Sequence, residues 1–249
     1  MKRPLALVTG GVRRLGAVIA AHLASAGYDL ALTSHGDGTP GNALAKALSE
    51  HGTNWHHISA DLGDGSAPDM VMQAVITHFG RVPALLVNNA ATFGQDDWQS
   101  MDAASLSTHF QLNLFAPLLL SKALVAASTE PVAIVNIVDQ RVVNPNGDQL
   151  SYTLSKQALA ASVRSMAAAF GARARVNGVA PGLVIPTGDY NNAQMVRLAE
   201  QMPLGALPAA QSVAEAVLYL AQAKDTTGQV LFADGGAHLR SFARDFLHL

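Results

Sequence analysis

The chain alternates short apolar runs with longer segments whose apolar residues recur every three or four positions. Short apolar runs predict β-strands, and the longer periodic segments predict α-helices. The predicted strands are Leu5–Thr9, Asp29–Ser34, Trp55–Ser59, Leu85–Asn88, Val132–Val138, Arg175–Val179 and Gln229–Phe232. The predicted helices are Leu15–Ala26, Asn42–His51, Pro68–Phe79, Leu106–Ala127, Tyr152–Phe170 and Val213–Gln222. Strands and helices therefore follow one another from one end of the chain to the other.

The apolar runs do not alternate with polar positions, as the segments 4–8 (PLALV) and 132–138 (VAIVNIV) illustrate. Such strands are typical of a parallel sheet, because helices cover both of its faces. Right-handed βαβ crossovers then give a Rossmann-type, doubly wound α/β sheet of about seven parallel strands. The sequence contains no repeat, linker or low-complexity segment, so we expect one domain spanning residues 1–249.

Composition removes several classes of function. The chain has no cysteine, which excludes disulfides, thiolate metal sites and cysteine nucleophiles. Its nine histidines are scattered and do not have the spacing of metal ligands. Its net charge is −2, and it has no cluster of basic residues that would bind nucleic acid. The apolar run near the start is too short for a signal peptide, and no stretch approaches the roughly 18 apolar residues of a membrane span. We therefore expect a cytoplasmic protein with a small-molecule substrate, no metal, no membrane and no nucleic acid.

A glycine-rich turn connects the first predicted strand to the first predicted helix, in residues 9–16 (TGGVRRLG). Gly10 permits a tight turn, and Gly16 permits close packing of the helix against the strand. The helix N-terminus offers unpaired N–H groups and a positive dipole end to a pyrophosphate. This turn therefore predicts a dinucleotide site, although glycine-rich turns also occur without that role.

The segments after the second and third strands indicate which dinucleotide binds. An NAD site usually has an acidic residue at the end of the second strand, but here that strand ends in Ser-His35 and the first acid is Asp37. Arg13 and Arg14 lie inside the phosphate loop, where a guanidinium can hold a 2′-phosphate. NADPH is therefore favoured over NADH, although the acidic Asp37 would favour NADH. Asp61, after the third strand, is either an acceptor for the adenine amino group or a solvated loop residue.

Candidate catalytic residues lie near the start of the long helix at 152–170. Tyr152 and Lys156 are four residues apart and so share one helix face, where the ammonium would lower the pKa of the phenol. Asp139 ends the fifth strand thirteen residues upstream, where it is either part of the site or a turn residue. Asn113 lies within an apolar helix, and the segment 88–90 (NNA) ends the fourth strand at the crevice where dinucleotides bind.

With these motifs in this order, the chain resembles the short-chain dehydrogenase/reductase family over almost its whole length. The matching pieces are TGGVRRLG at 9–16, DL at 61–62, NNA at 88–90, Asn113, YTLSK at 152–156, RVNGVAPG at 175–182 and TGQVLFADGG at 227–236. The resemblance implies that Tyr152 is the proton donor, Lys156 its ribose-binding partner, and Asn113 the member of a proton relay that holds water. The residues expected to bind the cofactor are Gly10, Arg13, Arg14, Leu15, Gly16, His35, Asp61, Leu62, Asn89, Ala90, Tyr152, Lys156, Pro181, Gly182 and Leu183.

Two departures from the family pattern resemble one subfamily, the pteridine reductases and bacterial dihydromonapterin/dihydrofolate reductases. Arg14 replaces the usual middle glycine of the phosphate loop, and Asp139 replaces the usual catalytic serine. The resemblance implies a pterin stacked between the nicotinamide and Phe93, with Arg14 reaching its polar edge. Asp139 would accept a hydrogen bond from Tyr152 or water and pass a proton to an imine nitrogen. Phe93 could instead pack its own loop, and Ala91 occupies a position where the subfamily often has a small hydroxyl residue.

Two variable segments complete the chain. Residues 183–212 are expected to form a substrate loop that acts as a mobile lid, in which Tyr190 and Met195 either close over a flat ligand or pack the loop. The tail after Gly236 is amphipathic, and its apolar residues available for burial are Phe242, Phe246 and Leu247. Because family members are commonly tetramers, we expect a homotetramer in which the tail packs against a neighbouring subunit.

Three functional hypotheses follow. The first is an NADPH-dependent reductase of a pterin-type C=N bond, in the dihydromonapterin, dihydrobiopterin or dihydrofolate class. The second is an NADP(H)-dependent carbonyl or alcohol oxidoreductase with a non-pterin substrate. The third is a cofactor-binding regulator without catalysis, which the intact Tyr152, Lys156 and Asn113 disfavour because a sensor needs no proton relay.

Overall fold

A computed structural model describes residues 3–186 and 190–249. Its strands are β1 (Leu5–Val8), β2 (Asp29–Ser34), β3 (Trp55–Ser59), β4 (Leu85–Asn88), β5 (Val132–Ile137), β6 (Ala174–Pro181) and β7 (Val230–Ala233). Its helices are α1 (Arg14–Ser25), α2 (Asn42–Glu50), α3 (Ala67–Phe79), α4 (Ala103–Phe110), α5 (Ala116–Ala127), α6 (Leu150–Phe170), α7 (Asn192–Gln201) and α8 (Ala210–Gln222).

The seven strands in this part of the chain form one parallel sheet in the order β3-β2-β1-β4-β5-β6-β7. Strand order reverses between β1 and β4, so a crevice opens there at the carboxyl ends of the strands. Alternate residues of β1 face opposite sides of the sheet: Leu5 and Leu7 join one buried cluster, and Ala6 and Val8 join the other. Apolar helices on both faces explain why the strands are apolar throughout, and the predicted fold class is confirmed.

Predicted and observed strand boundaries agree closely. The predicted bounds of β2, β3 and β4 are those of the structure, and the other four strands differ by one or two residues at an end. The largest difference is at β6, which continues to Pro181 because its last residues pair with β7. That extension carries the backbone of Pro181 into the crevice.

The predicted helix Leu106–Ala127 begins earlier and is irregular in the middle. It begins at Ala103, because Asp102 accepts a hydrogen bond from the Ser105 N–H at 2.7 Å in a capping box. A π-helical turn, Gln111–Phe115, separates α4 from α5. π-turns inside helices are frequent at functional sites, and this one holds Asn113.

The helical stretch Ala103–Ala127 is long and apolar enough to span a membrane. This finding corrects the expectation that no segment approaches that composition. The criterion concerns length and composition alone, and apolar core helices meet it as well. Leu120 and Leu124 of this stretch are fully buried in the core cluster that also contains Leu86 and Ile134 of the sheet.

The predicted substrate loop contains a helix, α7 (Asn192–Gln201), which the sequence analysis did not predict, while the role of the loop as a mobile lid stays a prediction. Helix α7 begins where the Asn191 side chain accepts from the Gln194 N–H at 2.9 Å. Its apolar face buries Leu198, and Phe246 of the tail packs into the same cluster. The tail therefore packs against its own chain, while contact with a neighbouring subunit stays a prediction. Residues 187–189 of the predicted loop lie outside the described residues.

Candidate active site

A cleft of about 550 Å³ lies at the carboxyl ends of the strands, where the strand order reverses. All of the residues that the sequence analysis expected to bind the cofactor line it, from Gly10 to Leu183. The cleft is also lined by residues that no motif indicated, among them Thr33, Ser34 and Ile185. Thr33 and Ser34 are the last two residues of β2, so the boundary of that strand was a signal that could have found them, whereas Ile185 lies four residues after β6.

At its glycines, the glycine-rich turn brings backbone close to the cleft. A Cβ atom on Gly16 would lie 2.0 Å from the Gly10 carbonyl oxygen, so a side chain there would force the turn apart. Within the described part of the chain, the N-cap residue Arg13 makes no side-chain hydrogen bond to the first turn of α1. The N–H groups of that turn are therefore left for a ligand, as a pyrophosphate site requires.

Arg14 stands in a backbone conformation that favours glycine. Its φ of +48° lies in the left-handed region, which costs a non-glycine residue roughly 1 kcal/mol or more. Its guanidinium donates a hydrogen bond at 3.1 Å to the carbonyl of Ile185, which lies across the cleft. The chain thus places a strained arginine at the position of the family's glycine, with its side chain over the mouth of the cleft.

At the second-strand end of the cleft, Arg13 faces Asp37. The Arg13 Nη2 atom lies 3.9 Å from Asp37 Oδ2, and both side chains are largely exposed. The other carboxylate oxygen of Asp37 accepts hydrogen bonds from the Thr39 hydroxyl at 2.7 Å and the Thr39 N–H at 2.9 Å. These two hydrogen bonds hold the pKa of Asp37 below its usual value. Asp37 is thus a charged neighbour of the arginine expected to bind a 2′-phosphate.

The side chains of Tyr152 and Asp139 are directly hydrogen-bonded to each other. The Tyr152 hydroxyl donates to Asp139 Oδ2 at 2.9 Å, and Asp139 Oδ1 accepts from the Arg141 N–H at 2.9 Å. The second bond caps a short 3₁₀ turn, Gln140–Val142. The two interpretations of Asp139 that the sequence left open are therefore compatible, since one carboxylate oxygen caps the turn and the other faces the phenol.

The predicted pKa shift of Tyr152 is wrong in direction. Burial and the neighbouring Asp139 carboxylate raise the pKa of Tyr152 well above its usual value, and Arg141 only partly opposes them. The Lys156 ammonium donates to the Ile137 carbonyl at 2.8 Å, and it lies 5.9 Å from the phenol ring centroid. Burial also lowers the pKa of Lys156 to about 8, although Asp139 acts in the opposite direction. Tyr152 is held as a neutral phenol.

Two predicted site residues do not line the cleft. Phe93 is 53% exposed, and its ring contacts the Tyr152 ring edge-on with the centroids 4.8 Å apart. Asn113 is fully buried; its amide oxygen accepts from the Thr92 N–H, and its amide nitrogen donates to the Thr92 carbonyl and the Ser155 hydroxyl. The Asn113 side chain therefore braces α6 against the loop after β4.

Arg141 is the residue that the sequence analysis missed. Its side chain is only 8% exposed, and its Nε atom lies 3.3 Å from Asp139 Oδ1. Its guanidinium carbon also lies 5.6 Å from the Tyr152 ring centroid and 5.9 Å from that of Phe93. A cation two residues after Asp139 was a visible signal, but nothing local indicated that it would be buried.

Comparisons with known proteins agree with this geometry. Residues 11–238 match the family model described as enoyl-(acyl carrier protein) reductase. The chain is 31% identical to the granaticin polyketide synthase putative ketoacyl reductase 2 of Streptomyces violaceoruber, over 95% of this chain and 96% of that protein. It is 30% identical to pteridine reductase 1 of Leishmania tarentolae, over 95% and 96% of the two chains.

A solved structure is similar as well. The FolM alternative dihydrofolate reductase 1 of Brucella canis, crystallised in complex with NADP, has a TM-score of 0.87 and 33% identity, with 95% of each chain covered. The family model covers residues 11–238, a range that includes strands β2 to β7 and the helix that carries Tyr152. The chain therefore belongs to the short-chain dehydrogenase/reductase family of oxidoreductases.

Proposed function

We propose that this protein is an NADPH-dependent reductase of a pterin-type C=N bond, in the class of dihydromonapterin, dihydrobiopterin or dihydrofolate. The observation that carries the proposal is the 2.9 Å hydrogen bond from the Tyr152 hydroxyl to the Asp139 carboxylate, at the position where the family usually has a serine. The similarity to a Brucella dihydrofolate reductase and to a Leishmania pteridine reductase supports the same substrate class.

The cleft fits NADPH by its shape and its donors. The uncapped first turn of α1 and the close approach of Gly16 to Gly10 make a cradle for the pyrophosphate. Arg13 would hold the 2′-phosphate, helped by the Ser34 hydroxyl, which also lines the cleft. The adenine would lie near Asp61 and Leu62, and the nicotinamide near Asn89, Ala90, Pro181, Gly182 and Leu183. When bound, NADPH supplies a hydride to the substrate.

The chain's own residues supply the proton. Reduction of a C=N bond adds a hydride to carbon and a proton to nitrogen, so a proton must come from the protein or solvent. Tyr152 holds that proton as a neutral phenol and shares it with Asp139 along their hydrogen bond. The pair thus passes one proton to the ring nitrogen, and solvent at the cleft mouth replaces it. Lys156 holds the ribose, and the relay role of Asn113 stays a prediction.

A carboxylate at position 139 favours a ring nitrogen over a ketone oxygen. A ketone oxygen is weakly basic and develops negative charge during hydride transfer, so it needs hydrogen-bond donors, whereas the more basic nitrogen of a C=N bond can take its proton before the hydride arrives. The Asp139 carboxylate accepts hydrogen bonds and repels such a charge, whereas it can accept from the N–H groups of a pterin. Phe93 would supply an aromatic face for the flat ring, and Arg14 a donor for its carbonyl.

A carbonyl or alcohol oxidoreductase is the alternative. The 31% identity to a putative ketoacyl reductase favours it. The match to the enoyl-(acyl carrier protein) reductase model adds reduction of a C=C bond to the non-pterin reactions to be tested. A third possibility, a regulator that binds cofactor without catalysis, predicts no turnover of any substrate. The three functions therefore differ in one assay.

The test is stopped-flow loss of NADPH absorbance with a panel of dihydropterins, dihydrofolate, ketones and enoyl thioesters. The expected result is turnover of at least one pterin with a kcat/KM above that for every ketone. Turnover of ketones or enoyl thioesters alone would replace the proposal with the alternative, and no turnover would favour the regulator.

We further infer a cytoplasmic homotetramer, as the family resemblance implies. Size-exclusion chromatography with light scattering measures the mass directly, and a monomer in solution would contradict it.

A further inference from the structure

We propose that Arg141 positions Asp139 and Tyr152 for proton transfer, and that Asp245 in the C-terminal tail holds Arg141 in place. The tail would then be part of the active site, although it lies 104 residues from Arg141 in sequence. This inference deepens the proposed function, because it rests on Asp139 and Tyr152 moving the proton.

The Arg141 guanidinium reaches three partners in three directions. Nη2 donates to Asp245 Oδ2 at 2.7 Å, Nη1 donates to Gln149 Oε1 at 2.8 Å, and Nε lies 3.3 Å from Asp139 Oδ1. The side chains of Arg141 and Asp245 are 8% and 5% exposed. The Arg141 cation is therefore held between two carboxylates, that of Asp139 just after strand β5 and that of Asp245 in the tail.

The Nε atom points to an electrostatic role beyond packing. Among the described residues it is a buried donor without a hydrogen bond of good geometry, although it lies within ion-pair distance of Asp139. A buried cation beside a carboxylate favours the ionised form, which is the form that accepts the Tyr152 hydroxyl. Buried ion pairs are in general weak evidence for stability alone, so a role at the neighbouring site accounts better for this one.

Arg141 also fixes the rings that form the substrate side of the site. Its guanidinium carbon lies about as far from the Tyr152 ring as from the Phe93 ring, at 5.6 Å and 5.9 Å. Gln149, which accepts from Arg141, is fully buried in the left-handed conformation with a φ of +49°, at the residue that precedes α6. Arg141 therefore braces both Asp139 and the start of the helix that carries Tyr152.

The tail is anchored at two adjacent residues, and this supplies an internal control. Asp245 pairs with Arg141 in the interior, whereas the exposed Arg244 donates from its Nε atom to both carboxylate oxygens of Asp148, at 3.0 Å and 2.9 Å. The Asp245 N–H also donates to Asp148 at 2.7 Å. Removing the Arg244 pair would loosen the same tail without touching the ion pair that reaches Asp139.

The pH behaviour of this cluster depends on several groups. The charged and titratable groups around Asp139 are Arg141 from its own turn, Tyr152 and Lys156 from α6, Asp245 from the tail, and His109 beyond the Tyr152 ring. Of these, Arg141 and Lys156 are the cations. Loss of Arg141 would therefore leave Lys156 as the remaining cation of this group.

The first experiment compares Asp245→Asn with Arg244→Gln in the full chain. Asp245→Asn should lower kcat by about tenfold and leave KM for NADPH unchanged, because the cofactor half of the cleft is untouched. Arg244→Gln should leave kcat unchanged, although both variants loosen the tail. Equal kcat for Asp245→Asn and the wild type, or an equal loss in Arg244→Gln, would overturn the proposal.

The second experiment uses Arg141→Met and Arg141→Lys. In Arg141→Met the acidic limb of the kcat/KM profile should move to higher pH by about one unit or more. Arg141→Lys should restore part of kcat and most of the pH profile, because lysine restores the positive charge but not the planar guanidinium group with its several N–H donors. An unmoved acidic limb in a folded Arg141→Met protein would contradict the electrostatic role. If Arg141→Met does not fold, the nearly isosteric Asp245→Asn carries the test.

The two proposals fail separately. All variants are assayed with whichever substrate the wild type turns over. A wild type active on ketones alone contradicts the pterin proposal, while Asp245→Asn against Arg244→Gln still tests the tail on that ketone. NADPH affinity measured by fluorescence titration should be the same in every variant, and a parallel loss of affinity would indicate general damage and overturn the positioning role.

Discussion

The two halves of the cleft are built in different ways. The cofactor half consists of the segment 9–16 and of residues that lie one or two positions after strand ends, such as Asn89 and Asp61. The proton-donating half depends on contacts between distant segments, because Asp139 is braced by Arg141, which is held by Asp245 of the tail. Short sequence motifs therefore specify the cofactor half, whereas the proton-donating half forms only when the whole chain has folded.

This difference separates binding from catalysis. Backbone N–H groups and glycines form the pyrophosphate part of the cofactor half, so its function depends on the space around those glycines. Buried charges and hydrogen bonds make the proton-donating half, so its function depends on their geometry. Substitutions in one half should leave the measured property of the other half nearly unchanged.

The largest effect is expected from Tyr152→Phe. Removal of the phenolic proton should lower kcat by about 10³-fold, within the range for general acid catalysis, while the Kd for NADPH stays within twofold. Steady-state kinetics and fluorescence titration measure the two quantities. Tyr219→Phe, at an exposed position on α8, is the matched control and should leave kcat unchanged. A Tyr152→Phe protein with wild-type kcat would remove Tyr152 from the mechanism.

Gly16→Ala should produce the opposite pattern. The added Cβ would meet the Gly10 carbonyl oxygen at 2.0 Å, so the phosphate cradle must shift. We expect the Kd for NADPH to rise about tenfold or more, equivalent to ~1.4 kcal/mol. Gly41→Ala is the control, because within the described residues an added Cβ there meets nothing within 4 Å. Unchanged affinity in Gly16→Ala would contradict the role of this turn in binding.

A smaller effect is expected on stability from Lys156→Met. The pKa of Lys156 is depressed in the folded protein, to about 8, so the unfolded chain binds the proton more tightly. The cost of burying the charge is therefore fully present below about pH 8 and disappears as the pH rises through the reference value near 10.4. Removing it should stabilise the apoprotein at pH 7 by roughly 2 kcal/mol, after allowing for the lost hydrogen bond to Ile137.

Thermal unfolding measures this effect. The Tm of Lys156→Met should rise by about 5 °C at pH 7, and the gain should shrink between pH 8 and pH 10. Lys122→Met, at an exposed position on α5, should leave the Tm unchanged. A Tm gain that is independent of pH would indicate packing, not charge, as its cause.

The fold could be predicted from the sequence because its signals are local. Apolar runs give the strands, and the glycine-rich turn places the crevice at the end of β1. Helix α7 was missed because Pro, Gly and Asn surround it, although Asn191 and the apolar face that includes Leu198 were present as signals. A local pattern competes poorly with the turn residues on either side of it.

The proton-donating half could be predicted only in part. The spacing of Tyr152 and Lys156 gave their shared helix face, but not the direction of the Tyr152 pKa shift. That direction depends on burial and on the distance to Asp139, which are properties of the folded chain. Arg141 and Asp245 carry no motif, and their pairing joins segments 104 residues apart.

The most direct test of the central claim is the substrate preference of Asp139→Ser. This variant restores the residue that the family usually has beside the catalytic tyrosine, and it removes the carboxylate that we propose selects a ring nitrogen. The measurement is the ratio of kcat/KM for a dihydropterin to that for a ketone, in the wild type and in Asp139→Ser. The account predicts a ratio above one in the wild type that falls at least 100-fold in the variant. An unchanged ratio would contradict the proposal that Asp139 determines the substrate.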